Sequence, residues 1–158
     1  MKILYFDTFS LFYSHQYINS DINIALAYKY WRDNSQDCLL KVVKPDTVGI
    51  EKLRKAAVEA GFKLYPLGTR YTRTLFIEHE LFTEDELAQD VPLNIRLGDN
   101  DPLRRMIAHS HKSSANWYVC GDIGPEMLEA FSGKHLTSTF GLGVTDELIS
   151  KVRALKLA

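Results

Sequence analysis

The chain has 158 residues, enough for one domain with its own core and too few to call for a second. Apolar residues make up 46% and charged residues 25%, a balance that excludes a disordered or fibrous chain. A formal net charge of −1 excludes a generally basic surface, so any contact with nucleic acid must come from a local patch.

Taken in chain order, residues 3–6 form an apolar run that predicts a first strand, and it ends at Asp7. A helix is expected from about Asp21 to Asp33, where Ile22, Ala25, Leu26 and Lys29 follow helical spacing. Residues 38–43 read as a second strand. Pro45-Asp46-Thr47 supplies a turn and a cap for a helix whose apolar face is Ile50, Leu53, Ala57 and Val58 and which stops at Gly61. Residues 62–67 read as a third strand. Residues 73–82 and 91–97 are both strand-like and are joined by the acidic run Thr83-Glu84-Asp85-Glu86, which predicts an inserted β-hairpin arm at about 73–97. Asp101-Pro102 starts a helix through His111, residues 117–120 form a fourth strand, and Pro125 opens a helix to about Phe131. A fifth strand is expected at 135–140, and Thr145 caps a last helix with the stripe Leu148, Ile149, Val152 and Leu155. The alternation predicts a single α/β domain over 1–158, built on a mainly parallel sheet of about five strands flanked by helices.

Ligands of such a sheet collect at the carboxyl ends of its strands. Four acids fall there: Asp7 after the first strand, Asp99 and Asp101 before the third long helix, and Asp122 after the fourth strand. Oxygen ligands of this kind suit a hard divalent cation, Mg²⁺ or Mn²⁺, and such a cation suits phosphate chemistry. Asp101 before Pro102 also has the look of a helix cap, and Asp146 beside Thr145 that of a first-turn acid. Asp7 and Asp122 end buried strands with no helix expected at once, so capping does not account for them. Basic and aromatic residues interleave in Gly68-Thr69-Arg70-Tyr71-Thr72-Arg73, and Arg104 and Arg105 lie beside Asp99 and Asp101. These arginines are the candidate contacts to a single-stranded backbone, set against the alternative of an ordinary solvated surface.

Other chemistries are disfavoured. The five histidines and two cysteines lack zinc-ligand spacing. Ser10, Ser14 and His15 sit near Asp7 without a Gly-x-Ser-x-Gly elbow, and Thr139-Phe140-Gly141-Leu142-Gly143 has no phosphate-loop lysine. Cys38 and Cys120, both in apolar runs, read as buried thiols in a reducing compartment. Met1 leading straight into a strand, with no run of membrane-spanning length, predicts a soluble cytoplasmic protein without a leader or a membrane partner.

Together these pieces resemble the NYN branch of the PIN-like nuclease superfamily. Phe6-Asp7-Thr8-Phe9-Ser10-Leu11-Phe12-Tyr13 is similar in layout to the first motif, and Val119-Cys120-Gly121-Asp122, Gly133-Lys134-His135-Leu136 and Asp146-Glu147-Leu148 are similar to the late one. Gly98-Asp99-Asn100-Asp101 resembles the segment that supplies the central acid. Ser10 stands where the family usually has asparagine, Phe9 where a second acid is common, and Gly124 where an aspartate is often repeated. The resemblance implies a PIN-like, Rossmann-like fold and a metal-dependent ribonuclease in which Asp7, Asp99, Asp101 and Asp122 supply the catalytic metal ligands for Mg²⁺ or Mn²⁺. Arg70, Arg73, Arg104 and Arg105 would then bind RNA. A degenerate relative would instead be a non-catalytic nucleotide-, RNA- or protein-binding module. The haloacid dehalogenase phosphatases also begin with an aspartate at a strand end, but they need a second acid two residues on, where this chain has Phe9. Pairing of the apolar strand at 74–81 with its twin would give a homodimer.

Overall fold

The computed structural model describes residues 1–34, 37–124 and 131–157. Strand β1 (Lys2–Phe6) is followed by the short helices α1 (Thr8–Phe12) and α2 (His15–Ile18), the longer α3 (Ile22–Asn34), the single turn α4 (Leu39–Val42) and α5 (Thr47–Ala60). Strand β2 (Lys63–Pro66), α6 (Arg73–Glu78) and α7 (Pro102–Lys112) come next. Strands β3 (Asn116–Cys120) and β4 (His135–Leu136), then α8 (Asp146–Ala154) and a 3₁₀ turn (Leu155–Leu157), complete the order. The sheet has four strands in the order β2-β1-β3-β4, all parallel. The register pairs Phe6 with Pro66 on one side and with Cys120 on the other, so three strands end level.

β1 is central, and Ile3, Leu4, Tyr5 and Phe6 are wholly buried because both faces of the sheet are covered. Leu4 and Phe6 point into the larger core with Leu53 of α5 and Leu148 and Val152 of α8. Ile3 and Tyr5 point the other way, against Met106 of α7. That alternation is what a strand sandwiched between helix layers requires. Among the described residues no helix is long and apolar enough to cross a membrane.

The helices with local start and stop signals form as expected. Asp46 accepts from Gly49 N–H at 3.0 Å to cap α5, and Gly61 ends it in the left-handed region at φ 79°. Asp101 caps α7 through Leu103 and Arg104 N–H, with Pro102 in the first turn, and Thr145 caps α8 through Leu148 N–H at 3.1 Å. Val58, expected on the apolar face of α5, is exposed.

Three strand expectations are corrected. Residues 38–43 contain α4, not a strand: Leu39, Leu40 and Val43 lie at helical spacing and are all buried, and the Tyr13 hydroxyl donates to Val43 C=O at 2.8 Å. Beside β2 runs residue Leu87 instead, in a single parallel bridge to Leu64. The hairpin arm is likewise absent from the described residues of 73–97. Thr72 caps α6, and Phe76 and Phe82 turn inward to pack at 5.5 and 5.6 Å from the Phe6 ring, so burial of two aromatics outweighs the strand propensity of the segment. Residues 91–97 hold no strand. The homodimer expected from pairing at 74–81 loses its strand edge. The fifth predicted strand shrinks to the two residues of β4, because the chain turns away where Lys151 of α8 binds Thr137 through both C=O (3.0 Å) and Oγ1 (2.8 Å). The helix expected from Pro125 falls mostly outside the described residues.

Candidate functional site

Asp7 leaves the end of β1 with its N–H bonded to Cys120 C=O at 3.1 Å, which ties it to the end of β3. Its carboxylate accepts from Ser10 N–H at 3.0 Å and caps α1, a helix that begins at the very next residue. The expectation that capping has no part in Asp7 is therefore corrected. Ser10 turns its hydroxyl to the other strand, where Oγ accepts from Asp122 N–H at 2.9 Å. One serine so bridges the two strand ends that carry the acids.

The junction is close because residue 121 is glycine. Gly121 has φ +109°, and a Cβ there would lie 2.8 Å from Asp7 Cβ and 3.0 Å from Ser10 Oγ. Any side chain would push the two acids apart. Gly121 C=O in turn accepts from His135 Nε2 on β4 at 2.7 Å, which leaves His135 Nδ1 buried and without a hydrogen bond among the described residues.

Asp7 and Asp122 open into a cavity of about 640 Å³. Phe9 of α1 and Tyr28, Lys29 and Arg32 of α3 form one wall, and Ser138, Thr139, Phe140 and Gly141 form another. The second wall is seated by Gly141 C=O, which accepts from Gln16 N–H at 2.9 Å, and by Gly143, at φ +71°, where a Cβ would stand 2.7 Å from Leu11 C=O. Burial pushes the Asp7 carboxyl above its ordinary range, the charge of Asp122 pushes the same way, and the Ser10 hydrogen bonds oppose them. Among the described residues neither acid has an ion pair with a basic side chain.

The other candidate acids go elsewhere. Asp99 is held by Arg104 Nε at 2.7 Å and accepts from Asp101 N–H, and the Arg104 guanidinium keeps its carboxyl below the ordinary range. Asp101 is spent on the cap of α7, and Asp146 pairs with Lys52 at 3.5 Å. Neither Asp99 nor Asp101 lines the cavity. Among the described residues no group of three or more His, Cys, Asp and Glu is arranged to hold a metal ion. Of the candidate arginines, Arg73 is committed to Ala88 C=O (2.9 Å) and Glu84 C=O (3.2 Å), and Arg104 to Asp99. Arg105 donates to Asp99 C=O at 3.2 Å and lines a cleft of about 380 Å³ with Tyr71. Arg70 lines a separate cavity of about 610 Å³.

Sequence reasoning passed over the α3 wall. Its signal was in Tyr28-Lys29-Tyr30-Trp31-Arg32, an aromatic and basic interleaving at least as dense as the one at 68–73. Two carboxylates, one raised by burial and by its neighbour, suit a divalent cation that keeps waters and takes its remaining ligands from a phosphate. On α3, Lys29 and Arg32, the latter also paired with Asp33 at 3.3 Å, lie where that phosphate's charge would be met. Compared with protein-family models, with curated proteins and with solved structures, the chain matches none.

Proposed function

We propose that the chain is a metal-dependent ribonuclease whose site is the cavity at the ends of β1 and β3. The observation that carries this reading is the meeting of Asp7 and Asp122, bridged by Ser10, at a cavity walled by Lys29 and Arg32. Asp7 and Asp122 hold Mg²⁺ or Mn²⁺. When bound, the cation lowers the pKa of a water and neutralises charge developing on a phosphodiester. Lys29 and Arg32 bind the flanking phosphates, and Phe9 and Tyr28 offer ring faces to bases. Ser10 acts as a positioning residue that keeps the two carboxylates together. The resemblance to NYN proteins in the two aspartate motifs supports the same chemistry.

The test is cleavage of varied single-stranded and structured RNAs with Mn²⁺ or Mg²⁺. Asp7→Asn and Asp122→Asn should each slow it by about 100-fold or more, the scale lost when one preorganised charged group leaves a site. Intact RNA with wild-type protein would sink the reading. The commitment of Asp99 to Arg104 favours a second one, a nucleotide- or RNA-binding module without catalysis. Binding that survives Asp7→Asn, with no cleavage by either protein, would establish it.

A further inference from the structure

The 640 Å³ cavity does not stand alone. Arg32 lines both it and the 610 Å³ cavity, and Tyr71 lines that second cavity and the 380 Å³ cleft of Arg105. Each hollow thus shares a wall residue with the next along the carboxyl edge of the sheet. Between the first two runs a series of rings: Phe9 to Tyr28 at 6.3 Å between centroids, then Tyr28 to Trp31 at 5.8 Å. Phe9 and Tyr28 face the first cavity and Trp31 the second, so the aromatic series spans the division between them. Lys29 and Arg70, one beside each cavity, make no side-chain hydrogen bond or ion pair among the described residues.

We infer that these hollows form one track for a single-stranded polynucleotide several nucleotides long, with the Trp31, Arg70 and Tyr71 cavity as a second subsite remote from Asp7 and Asp122. Ring faces at short intervals accept successive bases whatever their identity, and free cations between them follow the backbone. An acidic peptide would use the cations and leave the rings idle. A duplex, whose bases are stacked on one another, could not use the rings at all. The track rests on the ribonuclease reading for the identity of its polymer, but binding along it needs neither metal nor cleavage.

The test is fluorescence anisotropy in EDTA with fluorescein-labelled oligouridylates of two and eight nucleotides, a short RNA duplex and oligoglutamate. The octamer should bind at least about tenfold more tightly than the dinucleotide and the duplex. Arg70→Ala should weaken the octamer several-fold, lower the slope of log affinity against log salt by about 0.7, and leave the dinucleotide unchanged. Trp31→Leu, checked for folding by its circular dichroism, should also weaken only the octamer. Equal affinities for the two lengths, an octamer indifferent to Arg70→Ala, or oligoglutamate binding as tightly as the octamer would overturn the track. Length-dependent binding without cleavage would keep the track and remove the ribonuclease, and cleavage without length dependence would do the reverse.

Discussion

Asp7 carries two duties that substitution can separate. Its carboxylate caps α1 through Ser10 N–H, and its charge faces Asp122 in a buried setting that raises its pKa. A carboxyl raised on folding contributes stability below its unfolded pKa and loses it as pH rises through the folded value. At pH 7 the ionised group is therefore a cost. Asparagine keeps an oxygen for the cap and removes the charge, so Asp7→Asn should stabilise by about 0.5–2 kcal/mol at pH 7, with the gain fading in acid. Alanine removes cap and charge together, so Asp7→Ala should fall below Asp7→Asn by about 1 kcal/mol. Urea unfolding at pH 7 and in acid measures both. An Asp7→Asn protein less stable than wild type at pH 7 would show that the carboxylate is compensated in the native fold.

Among the elements, α5 and α8 close the larger face of the sheet. Leu53 and Leu148 are wholly buried in that layer, and Glu59 and Arg153 pair across it at 2.9 Å. Leu148→Ala should cost about 2–5 kcal/mol through lost burial and an unfilled cavity. Leu142→Ala, at a half-exposed position, should cost about 0.5 kcal/mol or less. Chemical denaturation of the pair checks the contrast. These two helices were legible because their signals are local: Asp46 and Gly61 bracket one, and Thr145 opens the other onto an evenly spaced stripe. Residues 38–43 and 73–82 were misread because a short apolar run suits a strand or a buried helical turn equally well by composition. What decided them was distant, the Tyr13 hydroxyl at Val43 C=O and the Phe6 ring clustered with Phe76 and Phe82.

At the scale of the whole molecule, the second face of the sheet is organised around His109 of α7. Its Nε2–H donates to Gln89 C=O at 2.8 Å, and Nδ1 accepts from the Tyr5 hydroxyl at 2.7 Å. Tyr65 stacks on the ring at 3.9 Å. Burial lowers the His109 pKa, opposed by the hydrogen bond to Gln89 and the charge of Asp90. The unfolded chain then takes the proton more readily than the native one. Its contribution to stability is complete above the unfolded pKa, about 6.5, and declines as pH falls toward the folded value. Stability should therefore drop with acidification below that point, by up to about 1.4 kcal/mol per pH unit from this group. His109→Gln should be less stable at pH 8 and show a flatter pH dependence between pH 7 and 5. An unchanged slope would mean that His109 titrates alike in both states.

The alternation of strand and helix, the parallel sheet it demands, and the acids at two strand ends follow from the order of residues alone, since period, caps and turn residues act over a few positions. The convergence of Asp7 with Asp122 does not. It depends on the pairing of Phe6 with Cys120 and on the missing side chain of Gly121, relations across more than a hundred residues that only the packed sheet creates. The same holds for Asp99, which the start of α7 turns toward Arg104, and for the cations of α3, which reach the site because that helix lies beside it. Local forces named the candidate groups, and burial of the shared core decided which of them meet.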